Sequence, residues 1–172
     1  MSESQRSAAV RLLLINPNTS AHITDRLATS ARQALAPGDV LTALTAESGP
    51  QAVRSAEELP EATRNVIEMA SQHSADHDAV LIGISLDCGL QAVRRLCAPQ
   101  PVVGMTEAAC RAACQLGPRF GLLTLGETMA PLYRAHVANL GLDLLSWPWP
   151  PPTCLGHSAP APTRCPMHCS TG

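Results

Sequence analysis

The sequence predicts an α/β fold, a three-layer αβα arrangement with a parallel sheet between helices, over most of the 172-residue chain. Three observations predict it. Short apolar runs recur without the in–out alternation of half-solvated strands, as strands buried on both faces require. Longer stretches with helical spacing separate those runs. Hydrophobic residues make up 45% of the chain against 15% charged, enough for one substantial core.

Each element follows from its own residues. Residues 10–15 (Val-Arg-Leu-Leu-Leu-Ile) form an apolar run ended by Asn16-Pro17-Asn18-Thr19-Ser20, a strand followed by a turn. Ile23, Leu27, Ala31 and Leu35 then recur every four residues on one helical face, and Pro37-Gly38 stops the helix. Residues 40–45 are a second strand. After a Gly-Pro loop, 57–72 read as a helix turning Val66, Met69 and Ala70 inward. Residues 79–83 are a third strand, 84–89 a loop, and a short helix ends near Leu96. A fourth strand at 101–104 leads into a helix over 106–116 with Thr106 as its expected cap. Residues 120–125 read as a fifth strand and 129–140 as a helix.

From Trp147 the pattern breaks. Seven of the 15 prolines and three of the seven cysteines fall in residues 147–172, with no periodicity of either kind. Two readings fit: a natural disordered tail, or out-of-frame translation of a GC-rich gene, which the all-arginine set of 12 basic residues suggests. The expected organisation is a first αβα lobe over 8–116, the start of a second over 117–146, and a Pro/Cys-rich tail over 147–172.

Composition also excludes classes. A net charge of -2 with no arginine cluster offers nothing to nucleic acid. No apolar run approaches a membrane span, and the opening Met-Ser-Glu-Ser-Gln-Arg lacks a signal peptide's apolar core, so a soluble, cytoplasmic chain is expected. Neither a glycine triplet nor a G-x-x-x-x-G-K pattern is present, which argues against nucleotide cofactors. Seven cysteines, an odd number, read as buried hydrophobes, catalytic thiols or metal ligands before they read as disulfides.

In a parallel sheet, ligands sit beyond the carboxyl ends of the strands. The first such loop offers Asn16, Asn18, Thr19 and Ser20, which suit a small carboxylate or amide ring, but also an ordinary turn and helix cap. The loop after the third strand holds Ser85-Leu86-Asp87-Cys88-Gly89. With a helix starting near Asp87, Cys88 would lie in its first turn, where free amides lower a thiol's pKa toward neutrality. Such a thiol serves as nucleophile or carbon base; a buried structural cysteine is the alternative. Cys110 and Cys114 read as small core residues. Cys154, His157, Cys165, His168 and Cys169 have zinc-like spacing without a framework to fix it, so no metal is expected.

Several segments together resemble the hydantoin racemase branch of the aspartate/glutamate racemase superfamily. These are Leu14-Ile15-Asn16-Pro17-Asn18-Thr19-Ser20, Ser48-Gly49-Pro50, Asp78-Ala79-Val80-Leu81-Ile82 running to Asp87-Cys88-Gly89-Leu90, and Pro101-Val102-Val103-Gly104-Met105-Thr106-Glu107. Leu116-Gly117, Arg119-Phe120-Gly121 and Thr124 continue the likeness to about residue 146. The resemblance implies two similar Rossmann-like lobes, a small-molecule substrate between them, no cofactor, and compatibility with a homo-oligomer. It implies proton transfer at the substrate's α-carbon between a thiolate and a thiol, one from each lobe. Cys88 takes the first role as the thiol in the matching loop, although many hydantoin racemases carry that cysteine where Ile84 stands here. Asn16, Thr19, Ser85, Thr106 and Thr124 would hold the substrate. With no matching position for the partner cysteine, impaired turnover is expected, and a non-catalytic ligand-binding fragment is the alternative.

Overall fold

A computed structural model describes residues 8–117, 120–124 and 128–142. The chain divides into two compact units, Met1–Thr106 and Glu107–Gly172.

The first unit is built on β1 (Arg11–Asn16), α1 (Ala21–Ala34), β2 (Val40–Thr45), α2 (Leu59–His73), β3 (Ala79–Ile82), α3 (Leu90–Cys97) and β4 (Val102–Gly104). The four strands form one parallel sheet in the order β2-β1-β3-β4. Leu14 and Ile15 of β1 pair with Leu81 and Ile82 of β3, and Ile82 pairs with Gly104 of β4, so the three strands end together. Because β1 is central, the chain leaves it first toward β2 and later returns on its other side as β3. The loops after β1 and β3 thereby part at a topological switch point, where such sheets bind ligands.

Helices cover both faces. α1 packs on β1 and β2; α2 and α3 pack on each other, α2 also against β1 and α3 against β4. Alternate residues of each strand supply the core on the α2–α3 side: Leu13 and Ile15 from β1, Val80 and Ile82 from β3, Val102 from β4. Ala62, Val66 and Ala70 of α2, with Leu90, Val93 and Cys97 of α3, complete it. On α1 the fully buried line is Thr24 and Ala28, one position along from the half-buried Ile23, Leu27 and Ala31. Ser55 and Glu58 form a reciprocal capping box in the short 3-10 turn before α2.

Two sequence expectations are corrected here. α4 (Met105–Leu116) begins directly at the end of β4, so Thr106 is its second residue and not its cap. The expected fifth strand is not formed over its described part: Phe120 makes an isolated bridge, and residues 121–124 are irregular with Leu123 exposed. An apolar run becomes a strand only when a neighbour supplies ladder hydrogen bonds along its length, and over the described residues 120–124 the pairing stops at the Phe120 bridge. That unit continues with α5 (Ala130–Asn139), which buries Val137. The tail 147–172, with its zinc-like residues, lies outside the described residues.

Candidate functional site

The loop after β1 is built around one buried side chain. Asn16, fully buried, directs its amide nitrogen at the Asn18 side-chain oxygen (3.0 Å), the Ser20 carbonyl (3.2 Å) and the Thr24 hydroxyl (2.9 Å). Its own oxygen accepts the Asn18 N–H, and Asn18 in turn accepts the Ser20 N–H at 3.0 Å. Thr24 of α1 continues the chain of bonds to Thr45 at the end of β2. In a low-dielectric interior these bonds are obligatory, because an amide stranded there forfeits its hydration. Asn16 is therefore turned to the loop's own polar groups, whereas Thr19 and Ser20 are half-exposed at the strand ends.

A second loop is tied to the first from α2. Asn65 donates to the Pro17 carbonyl (3.1 Å) and the Ser48 carbonyl (2.8 Å), and the Thr19 N–H donates to the Pro50 carbonyl. Asn65, Thr24 and Thr45 escape motif reading, yet a trace was visible. Asn65 stands on the apolar stripe of Ala62 and Val66, where a polar residue needs a buried partner.

The 84–89 loop departs from the expected geometry. α3 starts at Leu90 with Gly89 at its cap in the left-handed region (φ 78), so Cys88 precedes the helix instead of occupying its first turn. The thiol packs against the α2–α3 core and bonds the Thr63 side chain. Burial pushes it up to about 11 against the opposing Thr63 and backbone N–H bonds, and the nearby Asp87 charge adds the smallest contribution to the rise. The expected depressed pKa is thus reversed: the thiol stands ahead of the helix, and desolvation outweighs the backbone N–H and Thr63 bonds that favour the thiolate.

Ser85 is half-exposed beside this loop, and its carbonyl accepts the Thr106 hydroxyl. Thr106 is buried, and its N–H donates to the Asp87 carboxylate at 2.9 Å. The first unit therefore brings Asn16, Thr19, Ser85, Cys88 and Thr106 to the same end of one sheet, with Cys88 turned toward α2. Thr124 lies in the second unit, half-buried in the irregular stretch after Phe120. Ile84 is buried within the α2–α3 core. Among the described residues no cluster of three His, Cys, Asp or Glu side chains is placed to hold a metal ion, and no helix is long and apolar enough to cross a membrane.

Residues 12–146 match the family model for Asp/Glu/hydantoin racemase. A hydantoin racemase of Paenarthrobacter aurescens is 31% identical over 133 residues, covering 76% of this chain and 54% of that protein. A second, from Pseudomonas sp. strain NS671, is 28% identical over 135 residues, again covering 54% of the relative. Among solved structures, the allantoin racemase of Klebsiella pneumoniae superposes with a TM-score of 0.76 at 29% identity, over 80% of this chain and 56% of that one. The Pseudomonas fluorescens allantoin racemase gives 0.75 at the same identity. The chain spans about half the length of the curated relatives it matches.

Proposed function

Because the chain belongs to the Asp/Glu/hydantoin racemase family, we propose that it binds a small polar ring of the hydantoin or allantoin kind and exchanges the proton on the ring's α-carbon through Cys88. The observation that carries this reading is the meeting of two polar loops, 16–20 and 84–89, at the adjoining carboxyl ends of β1 and β3. Thr19, Ser20 and Ser85 provide half-exposed polar groups there, and Cys88 lies in the second of the two loops. A ring carbonyl next to the α-carbon takes up charge as the proton leaves, so no cofactor is required for this chemistry.

Cys88 sets the rate. A thiol held at about 11 is a competent acid at neutral pH, but only about one molecule in ten thousand carries the thiolate that can act as base. Turnover is accordingly slow at pH 7. It rises about tenfold per pH unit until the thiol titrates.

The test is deuterium uptake at the α-carbon of an enantiopure hydantoin in D2O, followed by proton NMR and corrected for buffer-catalysed exchange. The expected result is protein-dependent uptake that climbs with pH and disappears in Cys88→Ser. Uptake that is flat with pH, or that survives in Cys88→Ser, refutes the assignment.

One observation favours a second reading, a ligand-binding lobe without turnover. Ile84, not cysteine, occupies the position that the family resemblance gives to the first thiol, and it is buried in the core. Saturable hydantoin binding by calorimetry, with no protein-dependent uptake at any pH, selects this reading.

A further inference from the structure

α4 lacks a cap of its own. It starts at Met105 straight from β4, which leaves Gly104 at the flanking position where Ser, Thr, Asn or Asp ordinarily accepts an amide hydrogen. The space of the missing side chain is nevertheless filled. A Cβ built on Gly104 would lie 2.5 Å from the Asp87 carboxyl carbon and 2.8 Å from each of its oxygens. From that place Asp87 Oδ1 accepts the Thr106 N–H at 2.9 Å, and the Thr106 hydroxyl donates back to the Ser85 carbonyl. Asp87 is 4% exposed, so this carboxylate is buried at the positive end of the α4 dipole.

The 84–89 loop is shaped around that contact. The Asp87 backbone sits at φ 47, a left-handed conformation that costs most L-residues free energy and that Asp tolerates better than most. Its N–H donates to the Ile84 carbonyl at 3.0 Å, and its carbonyl accepts the Leu90 N–H at 3.1 Å, so two successive turns meet at residue 87. The consequence is a division of neighbours: Asp87 goes to the β4–α4 junction, while Cys88 goes to Thr63 on α2.

We propose that Asp87 is a positioning residue, capping α4 from a distant point in the sequence and thereby keeping Cys88 seated against α2. The proposal rests on the reading of Cys88 as the proton-exchanging group. Its test measures the thiol directly, so either can fail without the other.

The measurement is the rate of Cys88 alkylation by iodoacetamide from pH 7 to 11 on the full chain, resolved by peptide mass spectrometry, with far-UV circular dichroism as the check on folding. Asp87→Asn keeps an acceptor oxygen for the Thr106 N–H, so the seat is retained and the midpoint falls only by the lost charge. Asp87→Ala removes the acceptor, and the midpoint falls toward an ordinary thiol near 8.5, more than about tenfold faster labelling at pH 8. Gly104→Ala, which evicts the carboxylate without altering it, gives the same release and stands in if Asp87→Ala does not fold. Adding Gly104→Ser to Asp87→Ala supplies a local cap: α4 regains stability while Cys88 stays fast. The proposal is overturned if Asp87→Ala labels within twofold of the native chain, if Asn and Ala behave alike, or if the Gly104→Ser cap alone restores slow labelling.

Discussion

Replacing Asn16 measures how much of the first loop rests on one amide. The side chain is fully buried and carries two N–H groups toward three acceptors, while its oxygen receives a fourth bond. Asn16→Ala removes the bonds of two N–H groups and one accepted bond, about 1 kcal/mol each, and strands at least one buried partner for about 1 more, a total loss of about 4 kcal/mol. Against a domain stability of about 5–15 kcal/mol this is large. Asn16→Asp preserves volume but turns an acceptor toward the acceptors on Asn18 and Ser20, so at neutral pH it costs at least as much as alanine. The sign with pH is then fixed. A carboxyl buried there is raised above its unfolded value of about 3.9, so the folded state binds the proton more tightly, and the deficit relative to the native chain shrinks as pH falls from the raised folded pKa to that value. Urea unfolding of the three chains at pH 7.5 and 5 checks both statements. A loss under about 1 kcal/mol in Asn16→Ala, or an aspartate deficit independent of pH, refutes the account of the loop.

Three further outcomes follow from the same physics. Thr63→Val removes the bond that opposes the upward shift of Cys88, so the thiol rises beyond about 11 and alkylation slows, read by the same peptide labelling. Ile84→Cys places a thiol in the 84–89 loop at the position named by the resemblance; it costs about 1–2 kcal/mol for the lost core volume and raises protein-dependent deuterium uptake above that of the native chain. The Arg11 guanidinium and N–H hold the exposed Asp78 carboxyl below its usual range, so its contribution is present above the ordinary carboxylate pKa and fades as pH falls through the lowered folded value. Asp78→Asn therefore removes part of the acid-side loss in an unfolding series from pH 7 to 3.

Much of the fold was legible because it rests on local signals. The run Leu12-Leu13-Leu14-Ile15 leaves a chain no exposed way to satisfy apolar side chains on both faces, and burial of Leu13, Leu14 and Ile15 is what the sheet delivers. Pro37-Gly38 and the Gly-Pro loop end elements by backbone chemistry alone. The fifth strand is not legible this way, because residues 120–124 satisfy the apolar pattern while, among the described residues, the pairing goes no further than the Phe120 bridge. Helix starts were legible to within a few residues, and at Cys88 that margin reversed the expected electrostatics. A thiol in a first helical turn meets free amides; the same thiol ahead of Gly89 packs, partly buried, against the α2–α3 core and the Thr63 side chain.

Sequence alone determined the layered α/β architecture, the two polar loops at the strand ends and the residue types available there, since each depends on spacing along one chain. Tertiary structure decided which of those residues face inward and which stay half-exposed. It turned Asn16 into the buried hub of its own loop, brought Asn65 from 48 residues away to bond the Pro17 carbonyl, and sent Asp87 to cap a helix 19 residues downstream at Thr106. Such bonds join groups distant in sequence, and their strength comes from the water that folding excludes around them.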